Sequence, residues 1–528
     1  MDSLVAPVPV ATPPRPRPAR ARRGVERLIA AFFGGNALVA VIVLALITIF
    51  LFREGVGFFG QNLRNIQLFR SAGLELVDIA REQSDAHSAL SRGLTLVREQ
   101  ERRALLSMGR DEAAAAAELG VFDQFAERFS DASEDLNGLV SDAGEIAVTN
   151  RALLAGYAPQ EEEEAAATGA EMPATTAAPP PDVSAQLEPL RATMATFPQV
   201  AESVTTRAQE AIATAPTMRG EGAQRSMAKW RSLAADYVAS YGPATQRIQQ
   251  WDPKAPVPWT RSVSAFLFGR DWVTASFWQD WYGIVPLFVG SLMVSFIALT
   301  IAVPFGVCSA IYVSEIATKA EKALIKPYIE FIAAIPSVVL GFFGIAVVGT
   351  AIRALSEMPA LSWVPFFPLS ERLNVFTAGC LLALMAVPTI FTLAEDALRN
   401  VPRGFKEASY ALGANRLQTI GRVLVPASLS GIISAILLGL GRVIGETMVV
   451  LLCAGNRIAI PDFTQGLGAF FQPVHTMTGI IAQEMGEVVR NSIHYRALFM
   501  VGLVLFFITL GINFLAQKFV ARYRMSIG

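Results

Sequence analysis

Apolar runs long enough to cross a bilayer recur along this chain, separated by stretches rich in charge. Charge-free runs cover residues 28–52, 284–314, 331–352, 373–394 and 497–517. Each reaches the ~20 residues that a transmembrane helix needs. A sixth run, from about 423 to 454, is continuous in hydrophobicity except for Arg442 and Glu446. Pro286, Pro304, Pro336 and Pro388 fall inside these runs, marking kinks or breaks of a kind that membrane helices tolerate. The pattern predicts an all-α integral membrane protein of six transmembrane helices, the first at 28–53 and the rest within 283–520.

Between the first two runs, residues 54–282 follow a different rhythm. From 63 to 157, apolar positions such as Leu74, Val77, Ile79, Leu90, Leu94 and Val97 recur at spacings of mostly three and four, as in amphipathic helices. Residues 113–117 are all alanine, which adds helix propensity. The pattern stops at four glutamates, 161–164, and the Ala/Thr/Pro stretch ending at Pro181. A segment so acidic and proline-rich, near 158–182, cannot bury enough apolar surface to order itself and reads as a linker. Helical patterning resumes from 184 to about 250. With no cysteine to staple it, this is a helical insertion held by packing alone. Two roles stay open for it: decoration of the membrane bundle, or contact with a binding protein or the cell envelope.

Composition agrees with a membrane protein: 52% of residues are hydrophobic, 17% are charged, and mean hydropathy is +0.42. The net charge of −1 says less than its distribution. Six arginines, from Arg15 to Arg27, precede the first run. Lys319, Lys322 and Lys326 follow the second, Arg399, Arg403, Lys406, Arg416 and Arg422 the fourth, and Lys518, Arg522 and Arg524 the last. The positive-inside rule then makes these segments, including the tails 1–27 and 521–528, cytoplasmic, and the insertion periplasmic. The first run is about twice the length of a signal-peptide core and no A-x-A-like site follows Phe52, so it reads as an uncleaved anchor. Trp259, Trp272, Trp278 and Trp281 crowd just ahead of the second run, where their rings suit the headgroup layer. Cys308, Cys380 and Cys453 read as small buried hydrophobes, and His87, His475 and His494 show no ligand spacing. No metal or cofactor is expected, and no nucleic-acid partner. The chain lacks the G-x-x-x-x-G-K-[ST] phosphate loop, so it does not hydrolyse ATP by that route and is not an enzyme by itself.

The loop between the fourth and fifth runs reads Glu407-Ala408-Ser409-Tyr410-Ala411-Leu412-Gly413-Ala414, then Thr419-Ile420 and Val423-Leu424-Val425-Pro426. This resembles the EAA signature of ABC importer permeases, E-A-A-x-x-x-G followed after nine residues by I-x-L-P. Ser409 replaces an alanine, and Val423 and Val425 stand for isoleucine and leucine. The resemblance implies a short coupling helix seated in a groove of a separate ATP-hydrolysing subunit. Ala408 would allow close approach, Gly413 a turn between helices, and Glu407 a charge for docking.

Arg442 and Glu446 lie four apart in Gly441-Arg442-Val443-Ile444-Gly445-Glu446-Thr447-Met448, so they share one helical face. Each costs ~2.5–3.5 kcal/mol in hydrocarbon by insertion scales, and such residues face a bundle interior or a water-filled path. Arginine's fork of donors suits an oxyanion such as phosphate. Glu446 would hold Arg442 in place without substrate, or accept a hydrogen bond from a protonated phosphate oxygen. A purely structural ion pair is the other reading, and Gly441 and Gly445 suit close helix approach.

GRVIGETM, with AIPSVVLGFFG at 334–344 and LIKPYIEF at 324–331, is similar to the C-type permease of phosphate-specific transport systems over about residues 284–520. That resemblance implies a homologous A-type permease partner, two ATP-binding subunits and a periplasmic phosphate-binding protein, in the bacterial inner membrane. It carries a role in phosphate movement to Arg442 and Glu446, with Thr447 beside them. Ser337, after Pro336, would add a helix N-terminus facing the anion. Rival expectations are an importer of sulfate or molybdate, and a membrane sensor with a helical outer domain.

Overall fold

The computed structural model describes residues 19–523, except 157–183 and the single positions 275, 362, 363, 365 and 370. The linker expected at 158–182 therefore lies outside the described residues. The first apolar run does not end as a separate helix. It continues without interruption into α1, Ala19–Ser71, a helix of 53 residues. The chain reverses at Gly73, whose φ of 86° is readily available to glycine and whose missing Cβ makes room for Leu190.

The insertion is a helical bundle of α2 (Leu74–Ser107), α3 (Glu112–Asp131), α4 (Glu134–Gly156), α5 (Ser184–Met194), α6 (Phe197–Ala213) and α7 (Glu221–Gln249). The periodic positions Leu74, Val77, Ile79, Leu90, Leu94 and Val97 are all buried, with Phe125, Phe129 and Trp230 packed edge to face among them. Asp111 caps α3 by accepting from Ala114 N. A short helix, α8 (Trp259–Phe268), and a two-stranded hairpin, β1 (Trp272–Val273) with β2 (Trp281–Tyr282), lead to the second span. Phe58 of α1, Phe266, Tyr282 and Ile284 close over Met477, Ile480, Ala497 and Leu498, tying both ends of the insertion to the membrane bundle.

The tryptophans ahead of the second span depart from expectation. Trp272 is buried, Trp281 packs on Phe69, and Trp278 donates to Asp78 at 2.8 Å; only Trp259 is open. Their rings fill the joint between insertion and bundle, where packing area outweighs a place among headgroups.

Six helices among the described residues are long and apolar enough to cross a membrane: Ile29–Ser71, Val285–Ile316, Ser337–Ser356, Val375–Arg399, Arg416–Ile444 and Ile493–Lys518. In element terms, the second is α9 (Val285–Ile311) with a π turn, and α10 (Lys319–Ala334) is a separate helix with no buried residue. The third span thus starts at Ser337 rather than at 331, because Pro336 ends the preceding segment. It comprises α11 (Ser337–Phe343), a π turn and α12 (Gly349–Ser356). The fourth is α13 (Val375–Arg399). It meets α9 closely at Gly379 against Ile297 and at Gly306 against Ile390, where any Cβ would overlap the neighbour. Cys453 is buried, but Cys308 lies on an exposed face of α9.

Candidate translocation and coupling sites

Beyond Arg399 the chain forms α14 (Arg403–Ala411) and α15 (Arg416–Thr419), joined by Gly413 at φ 83°. Asn415 caps α15 reciprocally with Gln418, and the buried hydroxyls of Ser409 and Thr419 meet at 2.9 Å to lock the two helices together. The serine that departs from the EAA pattern thus has a partner inside the loop. Lys406 reaches Glu315 at 2.7 Å, Arg416 donates to the Glu315 carbonyl, and Lys326 pairs with the buried Glu395 at 2.7 Å. The loops after the second and fourth spans therefore form one ion-paired end of the bundle. Glu407, Ala408 and Gly413 are exposed there, and Ala408 and Gly413 line an open hollow of about 460 Å³ together with Phe405, Leu412 and Arg422. Leu412 is 90% exposed, an apolar side chain with no cover from its own chain.

The fifth span is α16 (Val425–Ile444), and here the expectation of an unbroken helix to 454 fails. Gly445, Glu446 and Thr447 leave the helical path before α17 (Met448–Cys453) begins. Glu446 is consequently off the helix that carries Arg442, and the two do not form an ion pair. Instead the Glu446 carboxylate accepts from Met448 N at 3.3 Å, capping α17. A carboxylate able to replace the carbonyl that Met448 N loses favours this local geometry, while Gly445 itself keeps a right-handed φ of −82°. Arg442 is exposed and makes no hydrogen bond or ion pair among the described residues.

Its depth follows from packing. Gly431 lies against Ala397 and Gly439 against Ile390, so Arg442, one helical turn on, is level with the middle of the 25-residue α13. The face around it is open, with no atom within 4 Å of a Cβ built at Gly441. Ser337 is half-buried at the first position of α11. Gly341 packs on Leu452, and Cys453 Sγ donates to the Gly341 carbonyl at 3.3 Å. α11 and α17 both run away from the ion-paired end, so Ser337 and Thr447 begin neighbouring helices at similar depth.

A segment that hydropathy did not reveal completes the region. After a 3-10 stretch, Phe463–Phe471, the chain dips back as α18 (Met477–Glu484) before the last span, α19 (Ile493–Tyr523). Gly290 packs on the His475 carbonyl and Ile481 lies near Gly502, well inside α9 and α19. Thr478 donates to the Glu446 carbonyl at 2.8 Å. Residues 463–482 carry no charge, the one signal that pointed to re-entry. Their glycines, threonines and proline kept the stretch from reading as a span.

Residues 302–525 match the family described as binding-protein-dependent transport system inner membrane component. The probable ABC transporter permease YqgH of Bacillus subtilis is 36% identical over 228 residues, 42% of this chain and 67% of that protein. The phosphate transport system permease PstC of Pasteurella multocida is 31% identical over 272 residues, covering 50% and 82%. PstC of Haemophilus influenzae is 32% identical over 277 residues, covering 49% and 84%. A solved structure of the MetNI methionine ABC transporter aligns at 20% identity over 46% of this chain and 94% of its own, with a TM-score of 0.33. The class is an inner-membrane transport permease crossing the bilayer several times. Within that class, this chain belongs to the PstC family of phosphate transport system permeases.

Proposed function

We propose that this chain is the permease subunit that carries inorganic phosphate inward across the bacterial inner membrane, driven by ATP hydrolysis on separate subunits. The observation that carries the mechanism is Arg442: a guanidinium at mid-depth of the bundle, on an open face, with no carboxylate spent on it. Removing such a charge from water without a partner is costly, and a phosphate in transit offers two oxygens to its donor fork. Glu446 and Thr447 at the break and Ser337 at the start of α11 complete the proposed path. Glu446 keeps one oxygen on Met448 N and offers the other to a protonated phosphate oxygen.

On this reading both termini are cytoplasmic and the insertion 54–282 is periplasmic. Support comes from the basic residues gathered at the ion-paired end and from the insertion's position at the other. The exposed Arg442 face is where a homologous A-type permease packs, so that the path runs between the two. Two ATP-binding subunits engage the α14–α15 corner through Glu407, Ala408 and Leu412, and a periplasmic binding protein delivers phosphate from the insertion side.

Phosphate uptake in cells that depend on this transporter tests the reading, with wild type compared with Arg442→Ala and Glu407→Ala at matched membrane levels. Arg442→Ala is expected to abolish uptake while retaining the ATP-binding subunits, and Glu407→Ala to lose them. Normal uptake by Arg442→Ala would remove the residue from the path. Uptake of sulfate or molybdate in place of phosphate would leave the machine intact and change its substrate.

A further inference from the structure

A helix broken inside a bilayer leaves backbone groups that no water reaches, and they persist only where the protein supplies partners. At the end of α16 most of these groups find theirs locally. Gly445 N reaches the Gly441 carbonyl at 3.2 Å, Glu446 N the Val443 carbonyl at 3.3 Å, and Leu451 N the Thr447 carbonyl at 3.0 Å. The Glu446 carbonyl is different, because its partner is the hydroxyl of Thr478, 32 residues further on in the re-entrant α18. Thr478 is itself held tightly. It is 8% exposed; Thr476 caps α18 at Gly479 N, and Met477 N donates to Ser291 Oγ on α9 at 2.9 Å.

We propose that Thr478 is a positioning residue for anion passage: its hydroxyl holds the α16–α17 break open so that Arg442 and Glu446 stay unpaired. The inference rests on the phosphate-path reading of Arg442. Were residues 444–448 to close into a continuous helix, Arg442 and Glu446 would stand at i and i+4 and form an ion pair. The guanidinium would then be neutralised by its own chain and closed to a travelling anion. Thr478 ties the Glu446 carbonyl to α18 and so competes with the Val450 amide that would need this acceptor in the repaired helix, while the Glu446 carboxylate stays on Met448 N. Arg442 supplies the charge, and Thr478 acts only through the backbone beside it.

The test uses the whole transporter reconstituted with its binding protein, measuring phosphate uptake per assembled complex for wild type, Thr478→Val and Thr478→Ser. Valine keeps the shape and removes the hydroxyl; serine keeps the hydroxyl. The expected result is a fall of about tenfold in maximal rate for Thr478→Val with an unchanged half-saturating concentration, which the binding protein sets. Thr478→Ser stays within about twofold of wild type. Wild-type rates in Thr478→Val, or equal losses in the valine and serine variants, would overturn the proposal. If Thr478→Val assembles poorly, Thr478→Ser against Thr478→Ala isolates the hydroxyl in the same way, and equal rates in that pair refute it. A wild-type complex that takes up no phosphate overturns the substrate reading alone, and the same variants are then compared on sulfate or molybdate.

Discussion

His87 sits inside the insertion's core with Nδ1 near Tyr237 Oη at 3.1 Å, Nε2 near the Phe129 carbonyl at 2.8 Å, and its ring stacked on Phe129. Burial holds its pKa below the ordinary histidine value. The folded state then binds fewer protons than the unfolded chain, so this residue stabilises the fold fully above about pH 6.5 and less as pH falls below it. Asp78 runs the other way. Burial pushes its carboxyl up to about 6 despite the bond from Trp278, and its contribution is lost as pH rises from about 4 through 6. Asp78→Asn is expected to stabilise the insertion at pH 7.5 by on the order of 1–2 kcal/mol, and not at pH 4. Hydrogen exchange over α2 and α7 in the purified complex measures both, and His87→Gln should flatten the loss of protection between pH 6.5 and 5. Neither environment was legible in the sequence, because a lone histidine or aspartate on a helix does not declare what other helices bring to it. Gly413 was legible: the resemblance to the EAA signature called for a turn between helices at this glycine, and its φ is 83°.

At the level of elements, hydropathy located the spans because length and lack of charge are all that crossing demands. It missed two departures from regular helix for one reason. Backbone breaks inside a bundle are set by partners distant in sequence, such as Thr478 for Glu446 and Ser291 for Met477. The four-residue spacing of Arg442 and Glu446 suggested a pair, and the break at residues 445–447, with Glu446 bonded to Met448 N and to Thr478, undid it. The α14–α15 corner leads to a sharper prediction. Leu412 and Leu417 are 90% and 71% exposed on an element otherwise fixed by Lys406–Glu315 and Ser409–Thr419 contacts. Leu412→Glu should leave membrane insertion unchanged while cutting co-purification of the ATP-binding subunits at least several-fold. Unchanged co-purification would place their contact elsewhere.

For the molecule as a whole, the insertion begins and ends at one joint, since Arg70 donates to the Ala255 carbonyl at 3.0 Å and pairs with Glu75 at 2.6 Å. Replacing residues 74–251 with a short Gly/Ser linker is therefore expected to preserve membrane insertion and assembly, read by native electrophoresis of the detergent-extracted complex. Loss of assembly would show that the bundle is integral to the permease fold. The helix that leads into this joint has a consequence of its own. From Phe52 to Ser71 α1 is one unbroken rod, about 28 Å long at 1.5 Å per residue. A transmembrane helix answers a change in bilayer thickness by tilting, and a rod transmits tilt as sideways travel. Ten degrees at the membrane would carry Ser71 about 5 Å. Because Phe58 and Gly55 fasten this rod to the last span, the two helices would carry the joint together, as one lever whose angle answers to the lipid.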